Sequence, residues 1–348
     1  MKKFFLSIMS VALAISVCLL GSGCGETALT FNNDFSGTDQ APTYLEEVLK
    51  YDIKYVDDFS NGYIKKSVNL TDDIVFCDYS GTSVHSFSIE GLLPTYIETN
   101  IDVASNRIYH LVTETTINAT YRLNGEAQEQ THQDYIKQEI FFLPAGLSFA
   151  PIYSYVEQEN TLVNYDKSSN TTSLTRCRYE VKTSYDKDSY TVDKTLILNT
   201  AKPDAKTQSK QTYEYDFRGV IDNSQFIFAS RNLSLSQGSS TTLPVVSFSY
   251  GYPVEVAIGN EEELTLNNLS INYNGTALTE NVQLQGLRYM VSTMTNSGSS
   301  QFIYVQKQGS ETLPFRALPV QLVQTLTTHG AFEMLGALVF TLTDVEIK

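Results

Sequence analysis

From Leu49 onward the chain is spelled in steps of two. Leu49, Tyr51, Ile53 and Tyr55 fall on one side of an extended chain, and Lys50, Asp52 and Lys54 on the other. Successive side chains of a strand point to opposite faces, so this spelling makes a strand with one buried and one wet face. A rival signal overlaps it: Thr43 and Glu46 match a capping box, which would open a short helix from Tyr44 to about Leu49. Ser60-Asn61-Gly62 then turns the chain into a strand over 63–70. Runs rich in Tyr, Val, Thr, Ile and Phe predict further strands over 72–78, 83–90, 107–123, 138–143, 173–182, 189–198 and 211–217. Others follow over 225–233, 245–250, 263–273, 282–293, 301–308, 320–328 and 337–346. Asn124-Gly125, Lys202-Pro203-Asp204, Gln237-Gly238-Ser239, Gly259-Asn260 and Asn274-Gly275 mark turns between them. The expected class is therefore all-β: a large antiparallel sheet, half-barrel or sandwich, with few short helices. No repeat at a fixed period suggests a propeller or solenoid.

The first 24 residues carry an address. Lys2 and Lys3 precede 17 uncharged residues, Phe4 to Leu20, and then Gly21-Ser22-Gly23-Cys24. A basic start, a short apolar run and small residues read as a secretory signal peptide. A cysteine directly after small residues resembles a bacterial lipobox, although Gly21 stands where that motif usually has leucine. The resemblance implies cleavage before Cys24 and acylation of its thiol; the alternative is an ordinary secreted chain cut nearby. Several acyl chains hold a protein to a bilayer at about 0.8 kcal/mol per buried methylene. Losing the leader removes two lysines and no acids, leaving 22 basic against 39 acidic side chains. Such a body is repelled by anionic lipid, so the acyl chains must do the anchoring. The same acidity argues against nucleic acid as a partner. Residues 26–43, polar and without hydrophobic period, read as a tether.

Beyond Cys24 two cysteines remain, Cys77 and Cys177. In an exported protein they make one disulfide, or stay as two buried thiols. Acidic excess is concentrated before residue 200: 26 acids against 13 bases over 24–200, and 13 against 9 over 201–348. With the turn at Pro203 this suggests an acidic β region over 44–200 and a second over 201–348, unless 44–348 is one continuous domain.

Chemistry-bearing motifs are scarce. His85, His110, His132 and His329 form no HExxH pair, and there is no Walker A, GxGxxG or GxSxG sequence. Ser184-Tyr185-Asp186-Lys187 matches SxxK in letters but falls at a predicted hairpin tip. Asp186 and Asp188 begin like a calcium loop without its glycine or closing glutamate. Glu261-Glu262-Glu263 reads as a solvated acidic turn. No catalytic residue, metal ligand or cofactor is assigned, and the chain is expected not to be an enzyme. A glycan hydrolase with carboxylates from distant strands would leave no local signature and stays as a third reading.

Tyrosine is the compositional excess, 22 residues, with Tyr109, Tyr121, Tyr135, Tyr153, Tyr155, Tyr179, Tyr185, Tyr190, Tyr213 and Tyr215 crowding the middle. Its broad face and polar tip suit an amphipathic ligand or a glycan, or simply the surface of a sheet. Asp222 to Phe228, then Arg231-Asn232-Leu233, 301–308, Leu313-Pro314-Phe315-Arg316 and a closing strand near 338–345 together resemble LolA-like periplasmic proteins. That resemblance implies a half-barrel with an apolar inner face for acyl chains or a lipid-like ligand, and carries no catalytic residues. The expectation is a lipid-anchored, extracytoplasmic binding or carrier protein. The alternative is a structural or adhesive surface lipoprotein touching glycan or a protein partner.

Overall fold

A computed structural model describes residues 46–56, 74–103, 107–123, 128–143, 149–166, 171–215, 220–231, 238, 240–247, 250–273, 275–293, 301–306, 317–326 and 336–348. The chain is a mainly β protein. Its strands are β1 (Glu46–Val56), β2 (Ile74–Glu90), β3 (Ile108–Leu123), β4 (Gln130–Phe142), β5 (Pro151–Asp166), β6 (Thr171–Tyr185), β7 (Ser189–Ile197) and β8 (Lys206–Glu214). They continue as β9 (Ile221–Asp222), β10 (Ser240–Ser247), β11 (Tyr250–Tyr273), β12 (Thr276–Thr293), β13 (Gln301–Gln306), β14 (Pro319–Leu326) and β15 (Gly336–Ile347). Between β9 and β10 lie a single 3-10 turn (Asn223–Gln225) and helix α1 (Phe226–Ser230).

The 15 strands among the described residues belong to one sheet, in the order β8-β7-β6-β5-β4-β3-β2-β1-β15-β14-β13-β12-β11-β10-β9. The regions on either side of residue 200 are thus joined through the antiparallel β1–β15 pair, Glu47↔Ile347 to Val56↔Ala337. β14 holds the other edge of β15 over residues 336–341, and β11 holds it in parallel over residues 344–347. With β11–β12, β12–β13 and β13–β14 also paired, the five strands β11 to β15 close a ring. Among the described residues β8 lies at an open edge, and its side chains are exposed throughout except Tyr213.

Alternation does what it should. Glu47, Leu49, Tyr51 and Ile53 of β1 are buried, with Glu46, Lys50, Asp52 and Lys54 outside. The buried parity continues across the register as Glu47, Phe87, Leu111, Ile140, Ser154, Thr183 and Val192. These positions form the inner face of the sheet. Phe87, Leu111 and Ile140 join Leu243, Val254, Ile271, Ile303, Leu322, Phe340 and Val345 in one core, and Val192 belongs to a second with Val156, Val181 and Tyr190. The outer face is a charge lattice, with Lys50 2.6 Å from Asp344 and Arg178 2.8 Å from Glu157 and 2.7 Å from Glu180. Such exposed pairs contribute about 0–1 kcal/mol each.

Several expectations are corrected. β1 runs from Glu46, so the capped helix gives way over 46–49 to a strand paired on both sides by β2 and β15. The runs at 72–78 and 83–90 are one strand, because Gly81 lies in the ladder opposite Ile117 rather than in a turn. Gly259-Asn260 is a bulge inside the 24-residue β11, where the register shifts between Ile258 and Glu261. β5 went unread. The strand expected over 225–233 is helical through Ser230. Asp222 starts it by accepting the Ser224 N–H at 2.6 Å, a side-chain turn that competes with strand pairing. Gly275, at φ +79°, lies between β11 and β12, and Asn274 lies outside the described residues. Residues 1–45, the hairpin at 60–62, the strand over 63–70, Asn124-Gly125, Asn232-Leu233, Leu313 to Arg316 and His329 lie outside the described residues.

Candidate functional site

The 3-10 turn and α1 form a plug on the inner face. Phe228 is its centre: its ring lies 4.8 Å from Phe87, stacked, and meets Phe142 edge-on at 5.6 Å and Tyr109 at 6.1 Å. Phe149 closes the set at 6.2 Å. The alternation of β2, β3 and β4 supplies the sheet side of this cluster. Edge-on and offset aromatic pairs add about 0.5–1.5 kcal/mol each beyond burial.

Polar contacts fasten the plug at both ends. At its start Asp222 Oδ2 accepts from Ser154 Oγ at 2.6 Å and from the Tyr185 hydroxyl. Burial, with the Asp222 charge beside it, holds the Tyr185 phenol well above its ordinary range. Gln225 Nε2 donates to Phe149 O at 2.7 Å. At its end Arg231 clasps Glu47 with two bonds, Nη1 to Oε1 at 2.6 Å and Nη2 to Oε2 at 3.1 Å. Its Nε donates to Ala317 O at 3.0 Å, and its guanidinium sits 5.3 Å from the centre of the Phe228 ring. Glu47 and Arg231 are 2% and 6% exposed. Breaking a pair this buried costs about 3–5 kcal/mol, because the remaining charge is stranded. Both carbonyls that receive the plug belong to non-glycine residues in the left-handed region, Phe149 at φ 51° and Ala317 at φ 56°. That conformation costs roughly 1–2 kcal/mol per residue. The strain turns each carbonyl toward the plug.

Between plug and sheet lies a cavity of about 70 Å³. Its walls are largely apolar: Leu49, Phe87 and Leu111 from the sheet, Phe226 and Phe228 from the plug, and Ile303, Leu322 and Phe340 from β13–β15. One inner-face row, Leu49, His85, Thr113 and Gln138, brings polar groups to the same space. His85 Nε2 lies 3.1 Å from Ser83 Oγ, and its ring is 4.8 Å from Tyr51. Burial first, and the Arg231 cation second, lower its pKa to about 4, so the imidazole is neutral at pH 7. The Tyr51 hydroxyl donates to Pro319 O at 2.7 Å. From β14, Gln324 lines the cavity at 8% exposure, and among the described residues its Oε1 has no hydrogen-bond partner. The arrangement offers an apolar volume with one polar wall and two charges that already neutralise each other.

A second polar cluster lies where the β4–β5 ladder ends at Tyr135↔Glu159. Asp134, 1% exposed, accepts the Thr161 N–H at 2.8 Å. His132 Nε2 is 3.8 Å and Arg176 Nη1 3.6 Å from its carboxylate. Burial raises the Asp134 pKa to about 7 against the pull of the Thr161 bonds and Arg176. Burial and Arg176 lower that of His132 to about 4. Asp134 here occupies the place of a ladder carbonyl, a structural role.

The other residues singled out by sequence are dispersed. His110 sits on the outer face, 2.9 Å from Glu139 and stacked on Phe141. Ser184 to Lys187 is a hairpin tip, with the Asp186 N–H bonded to Ser189 O at 2.8 Å. Glu262 pairs with Arg288 at 2.6 Å. Cys177 is a buried free thiol that donates to Asn160 O at 3.4 Å. Cys77 is on β2, four strand spacings away with β3, β4 and β5 between, so about 19 Å of sheet separates the two backbones. A disulfide wants Cα atoms within about 7 Å; this sheet does not bring the two together. Cys24 lies outside the described residues. Of the tyrosines, Tyr109, Tyr185 and Tyr190 are buried, and Tyr190 stacks on Tyr213 at 5.2 Å and meets Tyr215 at 5.6 Å around Val156, Val181 and Val192, while Tyr135, Tyr153 and Tyr155 lie half-buried on the outer face.

Among the described residues no group of three His, Cys, Asp or Glu side chains is placed to hold a metal, and no helix is long and apolar enough to cross a membrane. No family model, no curated protein and no solved structure matches the chain. In the sequence, Asp222 to Phe228 and Arg231 stand out only through the LolA-like resemblance, and the local residues read as a strand over 225–233. Gln138 and Gln324, each inside an otherwise strand-like run, gave no signal.

Proposed function

We propose that this chain is a lipid-anchored, extracytoplasmic protein of the bacterial cell envelope, held by acyl chains on Cys24. It binds an apolar or amphipathic ligand without catalysing a reaction. The observation that carries the reading is the cavity between the inner face and the aromatic plug, apolar on most walls and polar along His85, Thr113 and Gln138. Ligand pockets are typically built this way, mostly apolar with a few convergent polar groups. At about 70 Å³ the space takes the end of a ligand, not a whole acyl chain. A longer ligand would have to displace the plug, whose contacts with Glu47, Ser154 and Tyr185 are side-chain bonds rather than ladder pairing. The burial of Tyr109, Tyr185 and Tyr190 takes these three out of any glycan-contacting aromatic strip, which supports this reading.

Native mass spectrometry of the exported protein, purified without detergent and followed by solvent extraction, tests the proposal. A stoichiometric apolar adduct is expected, on a chain that begins at an acylated Cys24. A clean mass that no apolar probe shifts would count against ligand binding, and an unacylated Cys24 against the anchor.

A further inference from the structure

Resting on that reading, we infer that the cavity selects a neutral ligand end bearing a hydroxyl, in preference to a carboxylate or a purely apolar group. The polar capacity inside the walls sets this preference. Arg231 directs its guanidinium to both oxygens of Glu47 and to Ala317 O. An entering anion would therefore meet a cation already bound to a carboxylate, and would suffer repulsion from that carboxylate. His85 offers no second cation at pH 7.

Among the described residues the buried polar atom of the lining left without a partner is Oε1 of Gln324, whose side chain is more than nine-tenths buried and lines the space beside Leu322, Val323 and Phe340. A buried acceptor that goes unmade is costly, so a ligand that donates to Gln324 Oε1 gains over one that only fills volume. A hydroxyl suits this amide in either orientation, because it donates to Oε1 and accepts from Nε2. Size narrows the class further. A cavity of about 150 Å³ holds benzene. At about 70 Å³ this one fits three or four heavy atoms, such as the terminal carbons and hydroxyl of a neutral amphiphile.

The test compares 1-propanol, propionate and 1-chloropropane at pH 7, by titration of the whole protein with labelled Leu and Ile methyl groups. Shifts of Leu49, Leu111, Ile303 and Leu322 report the cavity. We expect 1-propanol to bind about tenfold more tightly than 1-chloropropane, and propionate to bind weakest. In Gln324→Leu, 1-propanol should lose that tenfold advantage while 1-chloropropane binds as before. Equal affinity of the alcohol and the chloride, or tighter binding of propionate, overturns the inference and leaves the apolar-ligand reading intact. No shift with any of the three overturns both. The comparison among ligands on the unaltered protein holds even where Gln324→Leu does not fold.

Discussion

Asp134 and His85 are two buried ionisable groups whose environments pull stability in opposite directions as pH changes. His85 titrates near 4 when folded and near 6.5 when free, so between those values the unfolded chain binds more protons. Its contribution is complete above about 6.5 and is lost as pH falls toward 4; His132 behaves the same way. Asp134 titrates near 7 when folded and near 3.8 when free, so there the unfolded chain binds fewer protons. Its burial is nearly free of cost at pH 4, and the cost grows until pH 7. Asn in its place imitates the protonated acid and still accepts from the Thr161 N–H. Asp134→Asn should therefore stabilise the protein by on the order of 2 to 4 kcal/mol at pH 8, and by much less at pH 5. Urea midpoints at the two pH values measure this. A gain of equal size at both would show that the carboxyl is not the titrating group.

At the scale of elements, two glycines separate backbone approach from backbone conformation. Gly81 sits in β2 with φ outside the left-handed region, yet a Cβ there would lie 2.1 Å from Thr116 O of β3. Gly275 turns β11 into β12 at φ +79° with open space around its Cα. Gly81→Ala must push two long strands apart, and we expect it to cost more than about 3 kcal/mol or to prevent folding. Gly275→Ala meets the left-handed penalty alone, about 1–2 kcal/mol. Thermal unfolding followed by circular dichroism ranks them, and the reverse order would sink the distinction. Gly81 also explains part of what the sequence hides. A glycine beside Ser80 and Thr82 spells a turn, and the close approach that requires it comes from β3, more than 30 residues on. β5 was illegible for a related reason. Its inner positions Ser154, Gln158 and Asn160 are polar but buried, and its outer ones include Tyr153 and Tyr155, so the period of two disappears. The plug misled in the opposite sense. Phe226-Ile227-Phe228 carries strand residues, and the Asp222 side chain together with the aromatic pocket on β2–β4 decides for helix. β1, β7, β14 and β15 were legible because burial falls on one parity with charged or polar partners on the other, or because the whole run is apolar. The candidate cavity draws its walls from eight separate segments, and no local spacing encodes that.

For the molecule as a whole, a closed ring and an open edge in one sheet imply unequal stability along it. β15 is bonded on both edges, by β1 on one side and by β14 and β11 on the other, and Leu342, Val345 and Ile347 are buried beside Leu49 and Tyr51. Opening it would break the ring and the joint between the two halves of the chain. β8 is bonded on one edge, buries almost nothing, and its residues Lys206 to Thr212 are exposed on both faces. Its ladder bonds to β7 are what orders it, and net bonds of this kind contribute about 1 kcal/mol each. Local opening in folded proteins spans from near zero up to the full unfolding free energy. Amide hydrogen exchange should then be slow in β1 and β15, intermediate in β5 and β6, and fast in β8. The amides of β8 should exchange at least a thousandfold faster than those of β15, a gap of about 4 kcal/mol in opening free energy. Apolar ligand in the cavity should slow exchange in α1, β14 and β15, whose side chains form its walls, and leave β8 unchanged, since β8 contributes none of them. Protection of β8 equal to that of β15 would mean that the 15 strands open as one unit, and that a polar edge strand is held by more than its neighbour's backbone.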